Sequence, residues 1–287
     1  MKRIAVINDL SGLGKCSLTA ALPVISVMGV QACPIPTAVL TNQTDYDSYY
    51  SVDFTDKIDY FTEEWKKREV TFDGIYTGYL GSETQVQKIL HFCENFRTEN
   101  TLLFVDPVMG DRGEVYDVYT PEYGVQMRRL VAAADVITPN LTECCLLTDC
   151  DYNELISHQQ DEDYLLRIEQ MARPLLEYGI QTIIVTGIEY QGTLDRHPCF
   201  YNLVISKDRC HYASCKIRGE SYSGTGDLLA SVVSAGMVRG ESAENATDLA
   251  VRFLEAALKD TVAQKIPRND GVLFESHLHK LLTKTGA

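Results

Sequence analysis

The sequence predicts an α/β protein with a mostly parallel central sheet, helices packed on both of its faces, and an antiparallel edge. Three observations carry this. Short β-branched runs alternate with stretches of helical periodicity through most of the chain, which is the pattern of parallel strands joined by covering helices. Two later strand-like runs are separated only by Ser206-Lys207-Asp208, a turn sequence, and so read as an antiparallel hairpin. The composition, 45% apolar and 23% charged over 287 residues, is ordinary for a globular chain long enough to bury a large core.

Taken in order, the strand candidates are residues 3–7, 30–39, 74–77, 102–105, 136–138 and 182–186. Helical patterns lie between them at 18–28, 56–69, 84–96, 121–132 and 164–178. The hairpin follows at 200–205 and 209–215, and three helices close the chain at 225–238, 243–258 and 272–282. No Pro/Ser-rich linker, low-complexity tract or fixed-period repeat interrupts the pattern. The expectation is therefore one domain over residues 1–287. In such sheets ligands collect at the carboxyl ends of the strands. This directs attention to Asn8-Asp9, residues 41–44, Gly78-Tyr79, Asp106, residues 140–143 and Thr186-Gly187.

Charge excludes some functions. With 26 Lys+Arg against 40 Asp+Glu, the net charge is -14, and no basic stripe is visible. A nucleic-acid partner is not expected. The one basic cluster, Lys66-Lys67-Arg68, sits beside Glu63 and Glu64 and reads as a solvated helix face. Any phosphate must be held by backbone N–H groups and metal rather than by a basic groove. The N-terminus reads as a first strand rather than a signal peptide, and no apolar stretch approaches the ~20 residues that span a bilayer. A cytoplasmic protein without a membrane partner is expected. Nine scattered cysteines suit a reducing compartment, and the Asn-x-Thr sites at Asn42, Asn140 and Asn245 are then not glycosylated. Cys144, Cys145 and Cys150 cluster without a second ligand pair at zinc-site spacing.

Several motifs carry chemistry. "NDLSGLGKCS", from Asn8 to Ser17, is a Gly-rich strand-to-helix loop. It fails as a P-loop, because Asp9 stands where the first Gly belongs and Cys16 where Ser/Thr follows Lys. It also fails as a dinucleotide fingerprint, since Ser17 replaces the third Gly. "FVDPVMGDRGEVY" puts Asp106 at the end of a buried strand, ahead of Pro107 and a long polar loop of the kind that forms lids. "ITPNLTECC" offers Asn140 and Glu143 as a capping box, and Glu143 equally as a carboxylate for a metal-bound water.

The most pointed stretch is "SGTGD", Ser223 to Asp227, opening a helix that is apolar almost all round. Gly224 and Gly226 keep side chains away from the free N–H groups of the first turn, so an anion can approach. Asp227 stands beside them. Dipole compensation alone favours an acid there but needs no flanking glycines. Phosphoryl transfer needs both: donors for the transferring oxygens and a carboxylate to take a proton from an alcohol.

"SGTGD", with "DPVMGD" and "TPNLTE" upstream in that order, resembles the ribokinase-like fold, a three-layer α/β/α architecture. "TGYLGS" (residues 77–82) and "TNQTDY" (residues 41–46) narrow the resemblance to the vitamin B6 kinases. The resemblance implies an ATP-dependent kinase acting on the 5-hydroxymethyl group of a small-molecule vitamer. It implies Asp227 as base, Gly224, Thr225 and Gly226 as the anion hole, and Asp106 and Glu143 around Mg²⁺, the latter through water. Asn140 would support that site. Thr138, Thr186, Gly187 and Ser223 would lie near the nucleotide, and Asp9, Thr44 and Tyr79 would line the ring pocket. A homodimer is implied, and a monovalent cation is left open. Asp9 matches the related hydroxymethylpyrimidine kinases, whereas many pyridoxal kinases carry Ser there. Those pyrimidine kinases often carry Cys in place of Asp227. A pyrimidine kinase of thiamin synthesis and a non-catalytic vitamer sensor stand as the alternatives.

Overall fold

The computed structural model describes residues 1–191, 199–216 and 221–282. Its sheet is formed by β1 (Arg3–Ser11), β2 (Gln31–Leu40), β3 (Ser51–Asp53), β4 (Gly74–Thr77) and β5 (Leu102–Val105), and by β8 (Val136–Ile137), β9 (Thr182–Tyr190), β10 (Cys199–Ile205) and β11 (Cys210–Lys216). The strand order is β11-β10-β9-β8-β5-β4-β1-β2-β3. From β2 through β9 all neighbours pair in parallel, as expected. The β10–β11 hairpin closes one edge antiparallel. β3 closes the other edge in the same way. That second antiparallel edge has no sequence signal, because β3 is three exposed residues with little to bury. A separate short ribbon pairs β6 (Gly110–Asp111) with β7 (Glu114–Val115).

The sheet divides the core by strand parity. Ala5 and Ile7 face the side covered by α2 (Ile58–Lys67), α3 (Glu83–Phe96), α4 (Pro121–Ala132), α5 (Leu141–Thr148), α6 (Tyr152–Ser157) and α7 (Tyr164–Ala172). Ile4 and Val6 face the side covered by α1 (Ser17–Val27), α8 (Thr225–Val238) and α9 (Ala243–Ala263). Both faces are apolar, so the strands are near-continuous hydrophobic runs rather than alternating ones. α8 is buried along nearly its whole length, from Leu228 to Val238. The all-round apolar pattern in its sequence predicts this.

Four expectations change. β1 runs on to Ser11, with a register irregularity against β2 between Asn8 and Leu10. Asn8 and Asp9 therefore lie within the strand at a bulge, a feature that re-aims side chains beside functional sites. The helix expected over 164–178 stops at Ala172 and tightens into a 3₁₀ segment, Arg173–Tyr178, because Pro174 has no N–H to donate. The final helix expected over 272–282 is a 3₁₀ segment, Glu275–Leu281, that buries only Leu281 and so lacks an apolar stripe. The polar loop after Asp106 carries the β6–β7 ribbon, tied to the start of α5 by Asn140 Nδ2 donating to the Gly110 carbonyl (2.8 Å) and the Gly113 N–H donating to Thr142 Oγ1 (2.8 Å).

Gly74, at the head of β4, has no room for a side chain. A Cβ there would stand 2.8 Å from Val238 Cγ2 and 3.3 Å from Ile4 Cγ1. Gly74→Ala is expected to destabilise the fold by about 1–3 kcal/mol through overpacking beneath α8. Denaturant unfolding checks this, and a midpoint equal to wild type would contradict the packing described.

Candidate active site

One cavity of ≈ 1080 Å³ opens outside the carboxyl ends of the parallel strands. It lies where the strand order reverses around β1, at the switch point that favours ligand binding in doubly wound sheets. Every site residue expected from the sequence lines it: Asp9, Thr44, Tyr79, Asp106, Thr138, Asn140, Glu143, Thr186, Gly187, Ser223, Gly224, Thr225, Gly226 and Asp227.

The start of α8 forms one wall. Gly224 is its N-cap in the left-handed conformation, φ 82°, and offers no side chain to the first-turn N–H groups. A Cβ at Gly224 would lie 1.9 Å from the Lys15 carbonyl oxygen, so only glycine lets the first loop and α8 meet. At Gly226 a Cβ would meet nothing within 4 Å. Gly226 thus leaves the space over the helix terminus open. An uncapped helix start with an empty cradle in front of it fits an anionic oxygen cluster.

Asp227 faces this space from the first turn. Its Oδ1 accepts a bond from Asn8 Nδ2 at 3.0 Å. Asn8 is fully buried. Its own Oδ1 accepts from the backbone N–H of Tyr79 (2.8 Å) and of Asp9 (3.0 Å), which fixes the amide with its NH₂ toward Asp227. Gly78 permits that approach, because a Cβ there would fall 2.3 Å from Asn8 Nδ2. Burial raises the Asp227 pKa to about 6, and the nearby Asp9 charge adds to the rise. The Ser17 backbone N–H and the Asn8 amide hold it down.

Asp106, just past β5, and Glu143, in the first turn of α5, make an acidic pair. Thr138 donates its hydroxyl to Asp106 Oδ1 at 3.1 Å. Glu143 completes the capping box. Its N–H donates to Asn140 Oδ1 (3.0 Å), and its Oε2 accepts from the Asn140 N–H (2.9 Å). Its Oε1 accepts from the Met109 N–H at 3.1 Å. Each oxygen keeps a further lone pair. Burial pushes both carboxyls above the usual range, and their neighbours' charges push further: Asp227 on Asp106, and Asp106 on Glu143. Among the described residues no three His, Cys, Asp or Glu are gathered to hold a metal by themselves. Two hard carboxylates that repel each other do fit a Mg²⁺ that keeps its waters and shares phosphate oxygens.

Asp9, close enough for its charge to act on Asp227, is 7% exposed and has both oxygens engaged. Ser17 Oγ donates to one at 2.5 Å and Ser11 Oγ to the other at 2.9 Å. Thr44 and Tyr79 stand nearby on separate loops. Thr186 and Gly187 (φ 67°) sit in β9, which continues past the expected end of the strand. Sequence reasoning singled out Asn8 as a strand-end polar residue but gave it no role, and gave none to Ser11 or Ser17. It also missed the apolar lining by Phe200, Leu229, Val251 and Leu254. Asn8 was legible as a polar residue on a buried strand. The apolar lining was not, since those residues read simply as core.

The phosphomethylpyrimidine kinase family matches residues 14–271. A Bacteroides thetaiotaomicron protein assigned to the phosphomethylpyrimidine kinases, crystallised in an orthorhombic form with pyridoxal, is 38% identical. It superposes with a TM-score of 0.87 over 98% of this chain and 95% of that one. Pyridoxal kinase from Lactobacillus plantarum is 29% identical, with a TM-score of 0.85 over 98% and 97%. A pyridoxine/pyridoxal/pyridoxamine kinase from Bordetella avium is 27% identical over 259 residues, 86% of this chain and 81% of that protein. The three-layer fold and the kinase resemblance read from the sequence hold.

The raised pKa of Asp227 has a consequence for stability. A carboxyl whose folded pKa lies above its unfolded value stabilises the fold fully below the unfolded value, here 3.8, and that contribution is lost as pH rises through about 6. Asp227→Asn removes the burden of the buried charge. Its melting temperature should exceed wild type at pH 8 by roughly 6–12 °C, since a rise from 3.8 to about 6 corresponds to ~3 kcal/mol at roughly 2–4 °C per kcal/mol. The two proteins should melt together near pH 4. A gain at pH 4 as large as at pH 8 would mean that ionisation is not the cause.

Proposed function

The chain belongs to the phosphomethylpyrimidine kinase family and is a phosphotransferase, and from this premise we propose that it transfers the γ-phosphoryl group of ATP to the 5-hydroxymethyl group of a vitamin B6 vitamer. The observation that carries the reading is Asp227. Its carboxyl, with a pKa near 6, stands in the first turn of a helix whose uncapped N–H groups face the same cavity. Support for the vitamer comes from the Bacteroides relative crystallised with pyridoxal.

The residues divide the work. The hydroxyl oxygen attacks the γ-phosphorus in line. Its proton passes to Asp227 as the new P–O bond forms and the bond to the ADP oxygen breaks. The N–H groups of Gly224, Thr225 and Gly226 receive the charge on the transferring oxygens. Asp106 and Glu143 would hold Mg²⁺ through water, with Thr138 and Asn140 fixing their orientation. The metal would neutralise phosphate charge. Ser223, Thr186 and Gly187 flank the nucleotide, and Phe200, Leu229, Val251 and Leu254 give its base an apolar surface. Tyr79 offers the vitamer ring a stacking face and Thr44 a hydroxyl, with Asp9 at the same end. A homodimer and a cytoplasmic location belong to the same proposal. No helix of the described residues is long and apolar enough to cross a membrane.

Coupled ADP release with pyridoxal, pyridoxine, pyridoxamine and hydroxymethylpyrimidine tests the substrate. At least one vitamer is expected to exceed the pyrimidine in kcat/KM. Faster turnover of the pyrimidine than of every vitamer would assign the chain to thiamin synthesis, and no turnover with any of them would make it a binding protein.

Asp227→Asn is expected to keep nucleotide binding and lose at least ~100-fold in kcat, the scale for a positioned base. The wild-type kcat should show an acid limb near the Asp227 pKa of about 6. Near-wild-type turnover in the Asn variant would reduce Asp227 to a helix-start acid.

A further inference from the structure

The turn that follows Pro267 stands against the start of α8. It is a single 3₁₀ turn, Arg268–Asp270, closed by Gly271 at φ 79°. The Arg268 carbonyl accepts from the N–H of Ser223, the residue before the Gly224 N-cap, at 3.3 Å. Gly271 permits the approach, since a Cβ there would lie 3.3 Å from the Ser223 carbonyl oxygen and 2.9 Å from Lys15 Cβ. The Arg268 side chain lines the cavity with Ser223, Gly224 and Asp227.

Asp45 holds that side chain in place. Its Oδ2 accepts from Arg268 Nη1 at 2.9 Å and from Ser223 Oγ at 3.3 Å. Asp45 is itself fixed at both backbone groups. Its N–H donates to Gln43 Oε1 (3.1 Å), and its carbonyl accepts from Asn269 Nδ2 (2.6 Å). Gln43, 7% exposed, donates its amide to the Asn269 carbonyl and to Ser223 Oγ. The Arg268 and Asp45 side chains are 36% and 41% exposed, so their ion pair adds little to stability. What the converging bonds supply is position. Among the described residues the contact with Asp45 is the guanidinium's one hydrogen bond, and Nε is buried with no partner. No lysine among the described residues lines the cavity. The other arginine there, Arg112, lies on the β6–β7 turn, which is tied to α5 rather than to α8. A fixed cation with unused donors, beside an uncapped helix start, matches the oxygens of a phosphoryl group.

We propose that Arg268 is a further catalytic residue: held by Asp45, its guanidinium contacts the oxygens of the transferring phosphoryl group over the start of α8 and keeps that contact with the phosphate of the product. Asp45 is then a positioning residue, acting through Arg268. The proposal rests on the reading of this chain as a vitamer kinase. Arg268 stays protonated throughout and exchanges no proton with the substrate. It supplies charge opposite the helix N–H groups, where the equatorial oxygens gather charge in the transition state.

The test compares two ligands that differ only in the phosphoryl group, pyridoxine and pyridoxine 5'-phosphate, by titration calorimetry. Arg268→Ala should weaken the phosphate at least about tenfold and leave pyridoxine within about threefold of wild type, the scale of a charge-assisted hydrogen bond. Its kcat should fall about 10–100-fold, with the pyridoxine KM within about threefold. Arg268→Lys keeps the charge and loses the planar fork, so it should fall between Ala and wild type. Asp45→Asn keeps an oxygen for Ser223 but gives up the charge that holds Arg268. It should cost about three- to tenfold in kcat alone and less than about twofold in the Arg268→Ala background. Equal weakening of both ligands by Arg268→Ala, or of neither, would overturn the proposal, as would an equal Asp45→Asn loss in both backgrounds. Wild-type protein that binds neither pyridoxine nor its phosphate would refute the vitamer reading instead. Hydroxymethylpyrimidine and its phosphate would then be the pair that decides Arg268.

Discussion

Four carboxyl groups share one cavity, and much of the architecture around it serves to hold them there. Asp9, Asp106, Glu143 and Asp227 all carry pKa values pushed up, with burial the largest cause in each. Each is met by its own donors. Two serine hydroxyls serve Asp9, the Thr138 hydroxyl serves Asp106, and the Asn140 and Met109 N–H groups serve Glu143. The Asn8 amide and the Ser17 N–H serve Asp227. A parallel sheet makes this possible, because it ends several strands on one side and lets each end deliver one polar group to a common space. The same crowding makes the cavity attractive to a divalent cation. Metal would relieve repulsion that the protein alone only partly offsets.

Phosphate binding by a chain of net charge -14 then needs another source of positive potential. The start of α8 is one such source, with no side chain competing for its N–H groups. Two arginines line the cavity among the described residues, Arg112 and Arg268. Arg268 is restrained: its Nη1 donates to Asp45 Oδ2 at 2.9 Å, and Asp45 belongs to the loop after β2. Tyr46 in that loop donates to Asp270 Oδ1 at 2.5 Å, and Gln43 Nε2 donates to the Asn269 carbonyl at 3.1 Å. The loop beside the expected ring pocket is thereby tied to the segment that flanks the helix start. An uncapped helix start and a basic group held by an acid concentrate positive potential without making the surface basic.

The fold was legible because its signals are local and repeated. Parity in the strands and 3.6-residue stripes in the helices follow from which side chains must leave water. The last segment misled for the same reason: residues 275–281 have the composition of a helix but bury only Leu281, so nothing holds a helical stripe against the core. The site was legible wherever a residue type was surplus to structural need, as with two glycines beside Asp227 or Pro107 after Asp106. It was illegible where a residue does structural and functional work at once. Asn8 reads as one strand-end polar residue among several until Tyr79 and Asp227 are brought to it, 71 and 219 residues away in sequence. Ser17 reads as an ordinary helix start until its φ is known. Leu229, Val251 and Leu254 face the cavity yet follow the same apolar pattern as their buried neighbours.

The balance at Asp227 ties these threads together. A base working near neutral pH needs a carboxyl that is ionised yet keeps as much proton affinity as that allows. Burial and Asp9 supply the affinity, and Asn8 and the Ser17 N–H keep the group ionised, leaving the pKa at about 6. The Asp9 charge raises the pKa, while Asp9's own oxygens accept from the Ser17 and Ser11 hydroxyls. A neutral residue at position 9 could keep a hydroxyl contact but not the charge. The identity of residue 9 therefore bears on the proton affinity of Asp227 before any substrate has entered the cavity.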